Sequence, residues 1–237
     1  MAKVDNSNAL RSLYMVFDTE TTGFSYGNND VVQIAGIIFR DGLEQQRFNF
    51  TCKPFRWDPI TQDAMDINGH TLEKMKAYAD PVDVCKVFRD IVMSYASEEE
   101  PMQLVAHNCP FDRGFTKAWF EKCGFSDFDT MFTAKDDCIC TKKWGNRGKK
   151  QHGWDMDNMK LITAASFIGF SFDAHDAMGD TLACCEWMKY LLSKGVCVVT
   201  GGPSAEELHD EGKLTEEEMQ GTEAEVTGTE ATGSISL

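Results

Sequence analysis

The 237-residue sequence has no uninterrupted apolar run approaching the roughly 20 residues that cross a bilayer. Its opening, MAKVDNSNAL, lacks the apolar stretch of a secretion signal, so the expected compartment is the cytoplasm and no membrane contact is expected. Paired Cys-x-x-Cys knuckles are also missing. The nine cysteines occur singly or as Cys138-x-Cys140 and Cys184-Cys185, which argues against a zinc site, including one assembled from Cys138, Cys140 and His152. Reduced thiols are the simpler account. Positive charge is scarce: 23 Lys and Arg face 38 Asp and Glu, a net of −15. That balance excludes a broad basic face for wrapping a long duplex and restricts any contact with a polyanion to a local patch.

The acidic excess is unevenly placed. Residues 200–237 hold ten acids and a single base, Lys213, a net of −9, so residues 1–199 carry only −6. The tail is rich in Gly, Thr, Glu and Ser and poor in aromatics, which predicts disorder and a solubilising role, with AEELHDEGKLTEEEM able to form a transient helix. Residues 1–199 are long enough for one α/β domain with a sizeable core.

Apolar patterning predicts strands over 13–20, 31–39 and 44–54, with Asp41-Gly42 as the hairpin between the last two. Helices are predicted over 71–78 and 82–97, SEEEP at 97–101 stops the second, and Gln103–Ala106 reads as a short buried strand. Pro110 suits the first turn of a helix to about Cys123, and Asp176 is the N-cap of another from 176 to 192. KKWGNRGKKQHGW, at 142–154, reads as a polar basic loop. No internal repeat is evident.

Five polar residues stand at the ends of these elements. If the first strand continues through Glu20, Asp18 and Glu20 in FDTETTG project from one face, because strand side chains two apart share a face. Two adjacent carboxylates on a buried strand repel and lose hydration, and a divalent cation resolves that cost. Asp112, in AHNCPFD, falls in the first turn of its helix, beside backbone N–H groups that favour an anion. His175 and Asp180, in HDAMGD, bracket the start of the last helix. There Asp180, Cys184, Trp187 and Met188 fall on one stripe at helical spacing. Imidazole near its free pKa suits deprotonation of water.

The ordered motifs Asp-x-Glu-Thr-Thr-Gly, His-Asn-x-x-Phe-Asp and His-x-Ala-x-x-Asp resemble the DEDD exonucleases, in the histidine-bearing, DnaQ-like 3′-to-5′ subgroup that includes the proofreading subunit of a bacterial replicative polymerase. The resemblance runs from about Leu13 to Leu192. It implies a ribonuclease H-like α/β fold with a central mixed five-stranded sheet flanked by helices. It implies that Asp18, Glu20, Asp112 and Asp180 bind two divalent cations, Mg²⁺ with Mn²⁺ able to substitute, and that His175 is the general base. Asp18 would bridge the ions, Glu20 and Asp180 complete one site, and Asp112 hold the second, partly through water.

The same resemblance supplies substrate contacts. The backbone around Thr21, Thr22 and Gly23 would cap a 3′-terminal sugar, and Asn68 lies in DINGHTLEKM, which borders the terminal nucleotide in the family. This chain has His70 where the family has Ile. His107 and Asn108 read as turn residues bonded to backbone and, with Phe111, border the substrate. Asp129 to Ala134 is similar to the family's next strand, and MDNMKLITAASFIGF to its substrate-side helix. The six bases of the 142–154 segment, interleaved with tryptophans, suit phosphate contact and base stacking, through Lys142, Lys143, Trp144, Arg147, Lys149 and Lys150. The leading reading is a 3′-to-5′ exodeoxyribonuclease acting on single-stranded DNA and releasing nucleoside 5′-monophosphates, alone or beside a DNA polymerase. An exoribonuclease and a non-catalytic nucleic-acid-binding accessory are the alternatives.

Overall fold

The computed structural model describes residues 9–197 and 199. The predicted tail, 200–237, lies outside the described residues. Among the described residues no helix is long and apolar enough to cross a membrane.

Three strands open the fold: β1 (Leu13–Thr21), β2 (Val31–Arg40) and β3 (Leu43–Thr51). The β2–β3 turn is the predicted Asp41-Gly42 pair, with φ of 52° and 79°, the two positive values a tight hairpin requires. β3 stops at Thr51 rather than reaching Pro54, and Cys52 instead bridges to Ala79. After helices α1 (Gln62–Asn68), α2 (Leu72–Ala77) and α3 (Pro81–Met93) come β4 (Gln103–Ala106) and α4 (Cys109–Lys122). α5 (Phe128–Met131), β5 (Ile139–Cys140), α6 (Thr141–His152), α7 (Leu161–Phe167) and α8 (Ala177–Ser193) complete the described chain. The sheet has order β3-β2-β1-β4-β5, antiparallel on the β2 side of β1 and parallel on the β4 side. It is the mixed five-stranded, helix-flanked sheet expected of a ribonuclease H-like fold.

β1 is buried on both faces, and its alternation divides the core. Leu13, Met15 and Phe17 pack with Phe88 of α3 and Phe115, Trp119 and Phe120 of α4. Tyr14 and Val16 pack on the opposite face with Trp144 of α6 and Trp187, Met188 and Leu191 of α8. Each such fully buried side chain contributes about 1.5–3 kcal/mol through removal from water. Continuing the alternation, Asp18 and Glu20 belong to the α8 face.

Two segments depart from the sequence expectation. Residues 129–131, expected in a strand, belong to the helical turn α5, and the fifth strand forms later at Ile139–Cys140. The cause is spacing: Phe128, Met131 and Phe132 all bury at helical intervals, while Asp129 faces outward to Arg113 and Lys117. The basic segment is α6, not a loop. Thr141, Trp144, Gly145 and Gly148, at i, i+3, i+4 and i+7, form its buried stripe. A Cβ on Gly145 would lie 2.5 Å from Met159 Sδ, and one on Gly148 2.4 Å from the Trp154 ring, so the glycines permit close approach rather than breaking the helix.

Candidate active site

Asp18 and Glu20 reach the site because β1 carries them past its pairing with β4, which ends at Val16. Asp180 enters from the first turn of α8, whose N-cap is Asp176: its carboxylate accepts the Gly179 N–H at 3.1 Å. The carboxylate oxygens of Asp18, Glu20 and Asp180 approach within 4.8 Å of one another. Asp112 enters from α4 and is oriented by Thr19, the residue between the two strand acids. The Thr19 N–H and hydroxyl donate to Asp112 Oδ1 at 3.2 and 2.9 Å.

These groups are costly to ionise together. Burial, then the charges of Asp112, Asp180 and Glu20, hold the Asp18 carboxyl well above its ordinary range. Glu20, only 9% exposed, is pushed up to about 8 by burial and by Asp180, against a hydrogen bond from Asn68 that favours its charged form. Burial raises Asp112 to about 7 despite the Thr19 bonds, and burial raises Asp180 despite the His175 N–H. Among the described residues none of the four carboxylates forms an ion pair with Lys or Arg. A buried all-oxygen set whose negative charge lacks a cation fits a hard divalent ion.

His175 is exposed, and its backbone has φ 69°, one of two positive values among the described non-glycine residues. This turn aims its N–H at Asp180 Oδ2, 2.8 Å away. The loop is held by a close approach: a Cβ on Gly179 would stand 2.5 Å from the Asp173 carbonyl oxygen.

Other sequence-predicted residues fall into different roles. Thr21 and Thr22 are buried, and their hydroxyls are used internally. Thr21 donates to the Gly23 carbonyl at 2.7 Å, and Thr22 accepts the Asp30 N–H at 3.0 Å. Gly23 is packed against Asn29, and Asn68 donates to the Thr21 carbonyl at 3.1 Å. His107 bonds backbone, as its turn position suggests. Its Nε2 donates to the Met159 carbonyl at 2.8 Å and its Nδ1 accepts from Thr141 at 3.0 Å, so both ring nitrogens are consumed in tying β4 to α6 and the segment before α7. Burial holds that imidazole down at about 4. Asn108 is exposed at the α4 N-cap, and Phe111 packs on Phe115 with ring centroids 4.7 Å apart.

Trp144 is a correction: at 2% exposure it is core, not a stacking platform. Lys142, Lys143, Arg147 and Lys150 are exposed on α6, while Lys149 bonds the Met156 carbonyl.

Sequence reading missed several positioning groups. Thr19 was hidden inside the first motif. Phe24 and Tyr26, 65% and 55% exposed on the loop after β1, are solvent-facing aromatics, Tyr26 set edge-on to Phe115 of α4, and their position immediately after the motif was the available signal. The departure at His70 also has a structural cause. His70 is 8% exposed, its Nε2 donates to Gln33 Oε1 at 3.0 Å, and its Nδ1 accepts from Tyr78 at 2.7 Å. Gln33 Nε2 in turn donates to Asp176 at 3.1 Å, so this network reaches the α8 N-cap.

A mixed sheet of this order, with two carboxylates on its middle strand and two more brought in by flanking helices, is of the ribonuclease H-like class. The chain belongs to the exonuclease family described as RNase_T, Exonuclease, whose profile matches residues 15–188. It is 35% identical over 109 residues to the PolC-type DNA polymerase III of Streptococcus mutans, covering 46% of this chain and 7% of that protein. It is 24% identical over 197 residues to the PolC-type enzyme of Lacticaseibacillus paracasei, covering 83% of this chain and 12% of that protein. The chain therefore spans a small fraction of these relatives. Escherichia coli exonuclease I in complex with a dT13 oligonucleotide superimposes with a TM-score of 0.64 and 18% identity, over 84% of this chain and 43% of that one. A zinc-bound exonuclease I–single-stranded DNA complex gives the same TM-score and identity over 78% and 41%. At these identities the structural likeness concerns the fold.

Proposed function

We propose that this protein removes nucleotides from the 3′ end of single-stranded DNA by metal-assisted hydrolysis, releasing nucleoside 5′-monophosphates. The observation that carries this reading is the convergence of Asp18, Glu20 and Asp180 within 4.8 Å, with Asp112 held beside them by Thr19. Asp18, Glu20, Asp112 and Asp180 would hold two Mg²⁺ ions, with Mn²⁺ able to substitute. Such ions would supply an activated water and charge neutralisation at the phosphate.

The chain's own groups do the rest. His175, exposed at the mouth of the site, takes the proton from the attacking water. Asn68 and the buried Thr21–Gly23 turn form the rigid wall against which a terminal sugar rests. Phe24 and Tyr26 offer exposed rings for base stacking, and the cations of α6 attract the strand. The oligonucleotide complexes of exonuclease I and the PolC relatives support DNA as the polymer and a DNA polymerase as a partner.

The test uses matched 5′-labelled and 3′-labelled single-stranded DNA, duplex DNA and RNA, with Mg²⁺ or Mn²⁺. Shortening of 5′-labelled single-stranded DNA in single-nucleotide steps is expected, with Asp18→Ala inactive. Preferential degradation of RNA would replace the DNA reading, and unchanged turnover in Asp18→Ala would refute the metal assignment.

A further inference from the structure

A cavity of about 160 Å³ opens between the start of α4, the turn before β5 and the outer side of α6, outside the carboxylate cluster. Its walls carry Arg113, Lys135, Lys143 and Arg147, opposed by one acid, Asp136, with Cys138 between them. Four cations facing one carboxylate is an unusual concentration in a chain of net charge −15. Among the described residues, Lys135, Lys143 and Arg147 make no ion pair.

Arg113 supplies the second observation. It is 8% exposed, and its Nε is buried with no hydrogen-bond partner. Its Nη2 reaches Asp129 at 3.2 Å, but that carboxylate is 60% exposed and also serves Lys117. Two cations thus share one solvated anion, and although the guanidinium also donates to the Thr133 carbonyl at 3.4 Å and lies 5.0 Å over the Phe128 ring, its Nε keeps no acceptor. A buried N–H donor without an acceptor is destabilising, a cost relieved when an oxyanion enters.

The position of the cavity gives the anion a source. β1, β4 and β5 are parallel, so the C-terminal ends of all three lie at one end of the sheet. β5 is two strand spacings from β1, roughly 10 Å at about 4.8 Å each. Arg113 directly follows Asp112 in α4, placing one wall of the cavity and one of the proposed metal acids on the same helix turn. We propose that this pocket seats a backbone phosphate of the nucleic-acid strand, on the 5′ side of the nucleotide being removed. The assignment of the phosphate to a strand rests on the nuclease reading above; the pocket's preference for a phosphate oxyanion does not.

Cys138 provides a readout independent of turnover. It is half-buried in the pocket wall, and contact with the Cys109 thiol, then the charge of Arg113, draws its own thiol below the ordinary range. An anion seated there blocks the thiol and opposes its ionisation, so alkylation slows. The experiment measures iodoacetamide modification of Cys138 by peptide mass spectrometry, on the full chain in EDTA so that DNA stays intact. The probes are inorganic phosphate and a single-stranded dodecamer.

Both probes are expected to protect Cys138, the dodecamer at a concentration at least tenfold lower. Lys143→Gln/Arg147→Gln, two exposed positions whose change spares the core, should raise the dodecamer midpoint about tenfold. The charge-matched Lys76→Gln/Lys86→Gln, on α2 and α3, should not. Absence of protection by both probes, or equal protection in the pocket double variant, overturns the proposal. Protection by phosphate alone overturns the strand assignment. Intact dodecamer protection in a protein that never cleaves with Mg²⁺ or Mn²⁺ defeats the nuclease reading while leaving the pocket standing.

Discussion

The backbone N–H of His175 donates to Asp180 Oδ2 at 2.8 Å, so the proposed base and one metal acid are joined through main chain, not through the imidazole. The two functions of His175 are therefore separable. In His175→Ala the left-handed turn and its N–H persist while the proton acceptor is lost. Turnover is expected to fall about 10²–10⁴-fold, with the unfolding free energy within about 0.5 kcal/mol of the parent because the side chain is exposed. The Mg²⁺-induced rise in Tm should survive. Loss of that rise would assign the imidazole to metal binding instead.

Thr19 is buried between the two strand acids and gives Asp112 two of its hydrogen bonds. Thr19→Val preserves shape and keeps the amide contact while deleting the hydroxyl. The variant should lose about 1–3 kcal/mol by chemical denaturation, as expected when a buried carboxylate loses a donor. Its Mg²⁺ requirement should move about 10–100-fold upward, the usual result of removing a group that orients a metal ligand. An unchanged Mg²⁺ midpoint would show that Asp112 is held by α4 alone.

How far the sequence revealed this site depended on whether a residue's role was local. Asp18 and Glu20 were readable because strand alternation is a two-residue rule, and Asp180 because Asp176 marks a helix start. Trp144 was not, because Gly145 and Gly148 break a propensity-based helix and the purpose of Gly145 depends on Met159 and Trp187, which lie beyond the helix in sequence. His107 was readable as bonded to backbone, but not to which backbone, because its partners Thr141 and Met159 lie 34 and 52 residues away. His70 looked like a lapse from the family pattern until Tyr78, Gln33 and Asp176 were seen around it. The strand expected at 129–134 was displaced because three apolar residues found a better core as a helical turn.

Stability of the metal-free protein should fall as pH rises above neutrality. Glu20 and Asp112 bind protons more tightly folded than unfolded, being raised from 4.5 to about 8 and from 3.8 to about 7. Their contribution is complete below the unfolded values and is lost as pH climbs through the folded ones. His107 acts oppositely: lowered from 6.5 to about 4, it destabilises on acidification through that interval and is neutral in both states at higher pH. Between about pH 6.5 and 8.5 the carboxylates therefore lower stability, opposed by Cys138, whose thiol is drawn below its ordinary range and ionises more readily in the folded state. In EDTA the Tm should drop across this range, and Mg²⁺ should restore more of it at pH 8.5 than at 6.5, because the cation binds the deprotonated acids. A Tm that rises with pH in EDTA would contradict the buried, uncompensated cluster.

Replacing His70 with the family's Ile tests whether the Tyr78–His70–Gln33–Asp176 network serves the site. His70→Ile leaves Gln33 Oε1 and the Tyr78 hydroxyl without the imidazole, at 8% exposure, a loss of about 1–3 kcal/mol. Gln33 then keeps its 2.9 Å bond to Asn49 but loses the partner that fixes its Oε1, so its bond to Asp176 weakens and the α8 N-cap that sets Asp180 loosens. Turnover is expected to fall further than the stability loss alone explains, measured well below the variant's Tm, and Tyr78→Phe should produce a milder version of both effects. A variant that is less stable but fully active at low temperature would confine the network to folding and leave Asp180 positioned by its own helix.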